Sequence, residues 1–516
     1  MEVLARPAGQ KKSSGPEMWV DEAIWGHRLH DEQTPWLTLL EFLGVLYAEH
    51  RAGRSLTEAQ QNELSYLPQT QLRLRNLLFN NPHMVTVVAS GQSDDAMWAS
   101  WSARMQENAG GLDNADFSYL KERFETFKDF ASIVAFLQSS AIEGGSNKRW
   151  SSKFVFPFGA NALYEDVNVN PKGGVETDRR FFARTGEILY LMLCRSSRSA
   201  DLRERLRDRL LEAPAPYDGL ARALQNEPQL ARQERAGAYL PCSSHRAYDR
   251  LAEDWIAILD LQIPSYDAIP HLVTMTGLNL VLYQLERSAE VLGRKEPITL
   301  VCEIISPKRS VVRELSANSF QDNNALPKQA VERFVRRIAE TPAWDAAVRS
   351  GEPGINAAEI LYGEFNWPDP DSEDVDDGSG SPEKLLDELV GKALYRHKQH
   401  VGKFQGVWGR LIGLSSRRSS RRVRYAPTDR LLKTLVICCV EERLEFKDFL
   451  DMLRERYGIV IGDHQAKNFI NSGMADQEDF SDNATRLEAR LASLGLLKRL
   501  SDSCAYVENP FQGTVR

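Results

Sequence analysis

Between Gly391 and Arg424 the chain carries ten Lys or Arg and no Asp or Glu: Lys392, Arg396, Lys398, Lys403, Arg410, Arg417, Arg418, Arg421, Arg422 and Arg424. Cations at that density neutralise phosphates and release the counterions condensed on a nucleic acid, giving an affinity that falls as salt rises. Phe404 and Trp408 are interleaved with them. The Arg-Arg-Ser-Ser-Arg-Arg run from Arg417 to Arg422 is too polar to make a core and too like-charged to stay compact alone. The alternatives are a solvated basic loop, or a strap lying against the acidic stretch upstream.

Other chemistry is sparser. His27/His30, Cys242/His245 and His397/His400 are pairs whose spacing puts both members on one helical face, as zinc requires. Surface or capping histidines are the commoner account of such pairs, and no metal or other cofactor is expected. Glu303 lies in a strand-like run with Asp260 and Asp267 upstream and Lys308 beyond. A metal-dependent nuclease wants an acid and a lysine one residue apart on a strand; Lys308 is five residues away, so no catalytic residue is assigned. Arg179, Arg180, Arg184 and Glu187 precede an apolar helix and could hold an anion at its start, although an ion-paired structural loop is the expected account. The chain has no G-x-x-x-x-G-K-[ST] phosphate loop, no G-x-G-x-x-G after a strand, no H-E-x-x-H and no G-x-S-x-G.

These residues sit in a chain of 516 residues with net charge −8 and 42% hydrophobic content. Any anion-binding surface must therefore be local. No run reaches the roughly 18 uncharged apolar residues of a membrane helix, and the start lacks a secretory pattern. The six cysteines form no C-x-x-C pair. A soluble protein in a reducing, cytoplasmic setting is expected.

The elements around the basic run are best marked at the C-terminal end. Thr428 caps a helix over Asp429–Val440. Leu444–Phe446 is an extended link, and Lys447–Tyr457 is a helix stopped by Gly458. Ser481 or Asp482 caps a helix over Ala484–Leu494. Leu497–Leu500 and Cys504–Val507 form a strand pair. Helix, short strand, helix, helix, hairpin is the order of the winged helix-turn-helix superfamily. The string from Arg486 to Leu497 resembles that superfamily's third helix and first wing strand, and the resemblance covers residues 427–511. It implies a helix in the major groove of double-stranded DNA and a hairpin on the backbone, with Arg486, Arg490, Lys498 and Arg499 as contacts. Asp463, Asp476, Glu478, Asp479 and Asp482 in the long inter-helix segment would repel phosphate. A protein-docking module is therefore the alternative.

Upstream, the sequence reads as mainly α, a large helical body with few strands. Residues 1–16 are a disordered tail and 17–366 an α-rich body with a candidate break near 145–180. Residues 367–382 are an acidic Gly/Ser linker, 383–426 the basic arm and 427–511 the winged helix. Helices are expected at Thr34–Tyr47, Gln71–Asn80, Asp94–Met105 and, on a stripe of Phe117, Leu120, Phe124, Phe127, Ala131 and Val134, over that whole span. Pro264 and Pro270 break the helices Tyr248–Leu261 and His271–Leu292, Pro327 opens another, Ile298–Ile305 is the best strand, and Lys153–Phe158 is β-like. This style is similar to accessory proteins of bacterial anti-phage defence operons. It implies a non-catalytic DNA-binding or adaptor subunit working with partner proteins of the same system. A protein-binding scaffold and a diverged metal-dependent nuclease are the alternatives.

Overall fold

A computed structural model describes residues 3–5, 16–27, 29–71, 83–108, 117–141, 159–160, 163, 165–169, 175–177, 184–224, 229–230, 234–305, 310–368, 381–417, 422–501 and 504–511. The fold is mainly α-helical, with short strands in small sheets. The helices that position the site are α1 (Pro16–Trp25), α2 (Pro35–Arg51), α3 (Thr185–Cys194), α4 (Arg246–Leu259), α5 (Ser265–Val291), α6 (Val311–Arg336), α7 (Pro382–His400), α8 (Phe404–Leu411), α9 (Asp429–Cys439), α10 (Phe446–Tyr457) and α11 (Gln477–Ser493). The strands are β1 (Leu300–Val301), β2 (Ser415–Ser416), β3 (Arg424–Tyr425), β4 (Arg443–Glu445), β5 (Ile459–Val460), β6 (Leu497–Ser501) and β7 (Cys504–Glu508).

Local chemistry explains most of these elements. Thr34 accepts the Leu37 N–H and Pro35 opens α2, as its sequence predicts. The start of α3 is closed by the protein's own carboxylate: Glu41 accepts the N–H groups of Arg184 and Gly186 at 2.7 Å each. Arg184 also pairs with buried Glu187, while Arg179 and Arg180 lie outside the described residues. The β-like run at Lys153–Phe158, and all but Gln71 of the helix expected at Gln71–Asn80, lie outside the described residues; Gln71 ends a short strand. Val3 and Leu4, expected in a loose tail, lie along the chain near Cys242, with the Leu4 N–H on the Pro241 carbonyl.

Three expected boundaries differ, each for a visible reason. Pro270 and Pro327 lie inside α5 and α6 without ending them. A proline frees the carbonyl four residues back. For Pro327 that is Asn323, whose oxygen accepts from Gln405 Nε2 at 3.2 Å; for Pro270 it is Tyr266, in the exposed first turn. The aromatic stripe from Phe117 is two helices, Ser118–Arg123 and Phe127–Ala141, because Phe124 turns extended and Asp94 accepts the Phe127 N–H at 2.7 Å. Phe117, Phe127 and Phe130 still pack with Trp98 and Trp101 in a satellite core. Helix α11 starts at Gln477, seven residues before its expected start, because Asp476 and Asp479 form a capping box.

The main core runs without interruption from Val20 to Val507. Helix α5, buried along most of its length, is its pillar and packs against α2, α4, α6, α8 and α9. The C-terminal elements are joined to this body backbone to backbone. Strand β1 pairs in parallel with β5, and the Glu303 N–H donates to the Tyr425 carbonyl on β3. Gly458, at φ +71°, makes the first contact possible, since a Cβ there would collide with the Ile298 carbonyl oxygen. Asn483, fully buried on α11, accepts the Ile304 N–H at 2.8 Å and donates to the carbonyls of Cys302 and Ile461 at 3.0 Å.

Two buried carboxylates complete the joint. Glu303 sits between Arg313 Nε at 2.8 Å and Arg424 Nε, so its charge is answered by two guanidiniums. Asp254 on α4 accepts from Tyr457 Oη at 2.7 Å, Arg456 at 2.8 Å and Asn279 at 2.7 Å. Burial opposes charge on Arg456, but Asp254 outweighs it and the guanidinium ends above its usual range. Removing one member of such a pair strands the other. Glu303→Ala should cost about 3–5 kcal/mol in denaturant unfolding, and the apolar pair Glu303→Met with Arg424→Met distinctly less. A loss below about 1 kcal/mol for the single change would mean that the ion pair does not hold the joint.

Candidate nucleic-acid interface

The described parts of the expected basic arm, residues 383–417 and 422–426, are built into the fold. Ser381 caps α7 and Pro382 opens it. Leu385, Leu386, Leu389, Val390 and Ala393 bury one face of the helix, leaving Lys392 and Lys398 on the exposed side. In α8, Phe404 and Trp408 are fully buried and stacked at 4.3 Å between ring centroids. They are core residues and do not present rings to bases. Gly413, at φ +79°, then turns the chain tightly against Thr428, and β2 pairs antiparallel with β3.

Packing the aromatics inward leaves the cations outside. Lys403 at the start of α8, Arg410 at its end and Arg417 after β2 are all exposed. All three line one pocket of about 280 Å³, with Phe320 and Asn324 of α6, Gly406 and Val407 of α8, and Ser415, Ser416 and Val423 of the hairpin. None of these lining residues is a carboxylate. Asp31 is the nearest acid by hydrogen bonding: it accepts the Lys403 backbone N–H at 3.0 Å. Burial raises the Asp31 carboxyl's pKa, and Lys403 works against that rise. Arg422 is exposed at the far side of the hairpin, and Arg418 and Arg421 lie outside the described residues. Arg424 turns inward to Glu303, so its guanidinium is unavailable to a phosphate.

The candidates farther along the chain are placed differently. Arg486 pairs with Asp482 at 3.2 Å, Arg490 with Asp429 at 2.6 Å and Arg499 with Glu488 at 2.5 Å. Lys498 is exposed on β6. Helix α11 carries Glu478, Asp479, Asp482 and Glu488 against Arg486 and Arg490, so it is net acidic. Its outermost positions, Glu478, Asp482, Thr485, Ala489 and Ala492, include no cation. Thus the structure gathers Lys403, Arg410 and Arg417 at one place, while Arg486, Arg490 and Arg499 are each paired with an acid and Lys498 is exposed. The pocket was not read from sequence, because its α6 wall lies some eighty residues before α8.

Among the described residues no group of three or more His, Cys, Asp or Glu is arranged to hold a metal. His245 caps α4 through the Ala247 N–H. Two histidine pairs do meet, with His30 and His400 rings 5.0 Å apart, beside Asp21 and His397 at 3.7 Å. No described helix is long and apolar enough to cross a membrane.

The fold and this face define a mainly helical protein with a local cationic concavity between α6, α8 and the β2–β3 hairpin. A family model described as methylation-associated defense system protein MAD7 matches residues 395–509. That span holds α8, the hairpin and all the elements from α9 to β7, under a quarter of the chain, and it links this part to methylation-associated defence. No curated protein and no solved structure matches the chain.

Trp408→Ala separates the two roles open to this aromatic. As a core residue its loss should cost about 3–5 kcal/mol in denaturant unfolding. Unchanged stability with lost nucleic-acid affinity would return it to a base-stacking role.

Proposed function

We propose that this protein is a DNA-binding adaptor subunit of a methylation-associated defence system, that it does no chemistry itself, and that it holds duplex phosphates at the α8–hairpin face. The observation that carries this reading is the convergence of Lys403, Arg410 and Arg417 at a concavity lined by no acid, on a chain of net charge −8. A local positive field on an anionic molecule draws in a polyanion and orients it. The family match over the same residues supports membership of a multi-protein system.

The C-terminal elements support a winged-helix reading. Helix α9, strand β4, helix α10, helix α11 and the β6–β7 hairpin follow in the superfamily's order, with β5 and a short helix over Lys467–Asn471 inserted between α10 and α11, and the sheet order is β6-β7-β4. In that superfamily the third helix commonly enters the major groove. Here its outer line is acidic at one end and small at the other, which favours a partner protein over phosphate at that surface. We therefore assign DNA to the α8–hairpin face and a protein partner of the same system to α11.

Duplex binding measured against salt tests this assignment. The triple reversal Lys403→Glu, Arg410→Glu and Arg417→Glu should weaken binding steeply and flatten the log–log salt slope by about 3, near 0.9 per lost phosphate contact. Arg486→Glu with Arg499→Glu should stay within about threefold of the parent, since exposed paired charges contribute little. Salt-insensitive binding, or equal losses in both variants, would sink the assignment.

A further inference from the structure

A duplex can lie across the α8–hairpin face, but it cannot fill the concavity there. The pocket of about 280 Å³ is near the lower end of small-molecule sites, roughly 300–1,000 Å³. A rod of paired strands presents its phosphates on a convex surface, so the space beneath the cations must admit something smaller.

The walls differ in chemistry. Lys403, Arg410 and Arg417 supply positive charge, while Phe320, Val407 and Val423 supply apolar surface. An inorganic anion would use the first set and waste the second; an apolar ligand would do the reverse. Two polar groups lie between them. Asn324 carries an amide that can both donate and accept. Ser415 is 4% exposed, lines the pocket, and its Oγ has no hydrogen-bond partner. That hydroxyl is sealed from solvent beneath the wall, so the polar edge offered to a ligand is the exposed Asn324 amide. The first turn of α8 forms part of the wall, and its dipole favours an anion.

The pocket also has a gap in its floor. Gly406 lies within α8, and a Cβ there would meet nothing nearer than the Phe320 ring at 4.0 Å. Glycine is unfavourable inside a helix by roughly 1 kcal/mol, and neither backbone angle nor crowding calls for it here. Its effect is to leave space open beside the cations.

We infer that this pocket takes one nucleoside monophosphate unit, with the phosphate on Lys403, Arg410 and Arg417 and the base against Phe320 and Val407. The unit comes either as a free nucleotide or as the phosphorylated end of a strand. The inference rests on the reading of this face as a phosphate-binding surface, and it can fail separately from it.

The test uses the full chain and four probes: dAMP, deoxyadenosine, and one single strand with either a 5′-phosphate or a 5′-hydroxyl. Calorimetry should find dAMP bound at least about tenfold more tightly than deoxyadenosine, the scale of one or two charge-assisted contacts. Gly406→Leu fills the gap without touching a charge. It should abolish dAMP binding, while the salt slope of duplex binding, set by the three cations it leaves in place, keeps its value. Asn324→Leu on the opposite wall should weaken dAMP and serves if the first variant does not fold. A strand preferred about tenfold or more for its 5′-phosphate identifies a strand end as the source; dAMP binding with no such preference identifies the free nucleotide. Intact duplex binding with no affinity for dAMP or the phosphorylated strand overturns the inference and leaves the proposed function standing. Undiminished dAMP binding to folded Gly406→Leu overturns it too. Loss of duplex binding by the parent chain removes the reading beneath it.

Discussion

Two carboxylates buried in the body, Glu303 and Asp254, set the terms for the rest of the structure. Both are fully buried, and a buried charge is tolerated only when it is paired and hydrogen-bonded. Their partners come partly from the C-terminal quarter: Arg424 for Glu303, and Arg456 with Tyr457 for Asp254. The body therefore cannot satisfy its own interior without the unit that follows it. Asn483 adds the neutral version of the same demand, pairing backbone groups from the body strand and from the chain after β5. A cut before α7 would strip these partners away and expose α5, so function has to be probed by substitution in the whole chain.

That joint also decides where positive charge can show. The basic run cannot be a free tether, because α7 and α8 spend their apolar faces on the core and β3 spends Arg424 on Glu303. Of the cations that remain outside, Lys403, Arg410 and Arg417 are held around one concavity, and Lys392, Lys398 and Arg422 are exposed outside its lining. The same folding draws Arg486, Arg490 and Arg499 into local pairs on α11 and its neighbours. Exposed pairs of this kind are weak, but with four carboxylates against two arginines on α11 the helix itself is net acidic. Two surfaces of opposite character result, which suits a protein that bridges a nucleic acid and a partner.

Much of this was visible in the residues. The helical class, the capped start of α2, the order of elements from α9 to β7 and the stop at Gly458 follow from capping residues, glycine and apolar spacing, all of them local signals. The cationic run was legible as charge, but its division into outward Lys403, Arg410 and Arg417 and inward Arg424 was not. That division depends on Glu303, more than a hundred residues upstream. Phe404 and Trp408 looked like rings between cations; their burial depends on α5 and α6. The continuity of Pro327 within α6 depends on Gln405 accepting a role no local rule predicts. Long-range pairing of buried polar groups is what the linear pattern does not carry.

Hydrogen exchange on the full chain, with and without duplex DNA at low salt, tests the central assignment most directly. The account predicts slowed exchange over residues 402–417, with α11 from Gln477 to Ser493 unchanged. Protection confined to residues 484–499, with the α8–hairpin face exchanging as in the free protein, would contradict it and put the major groove on α11.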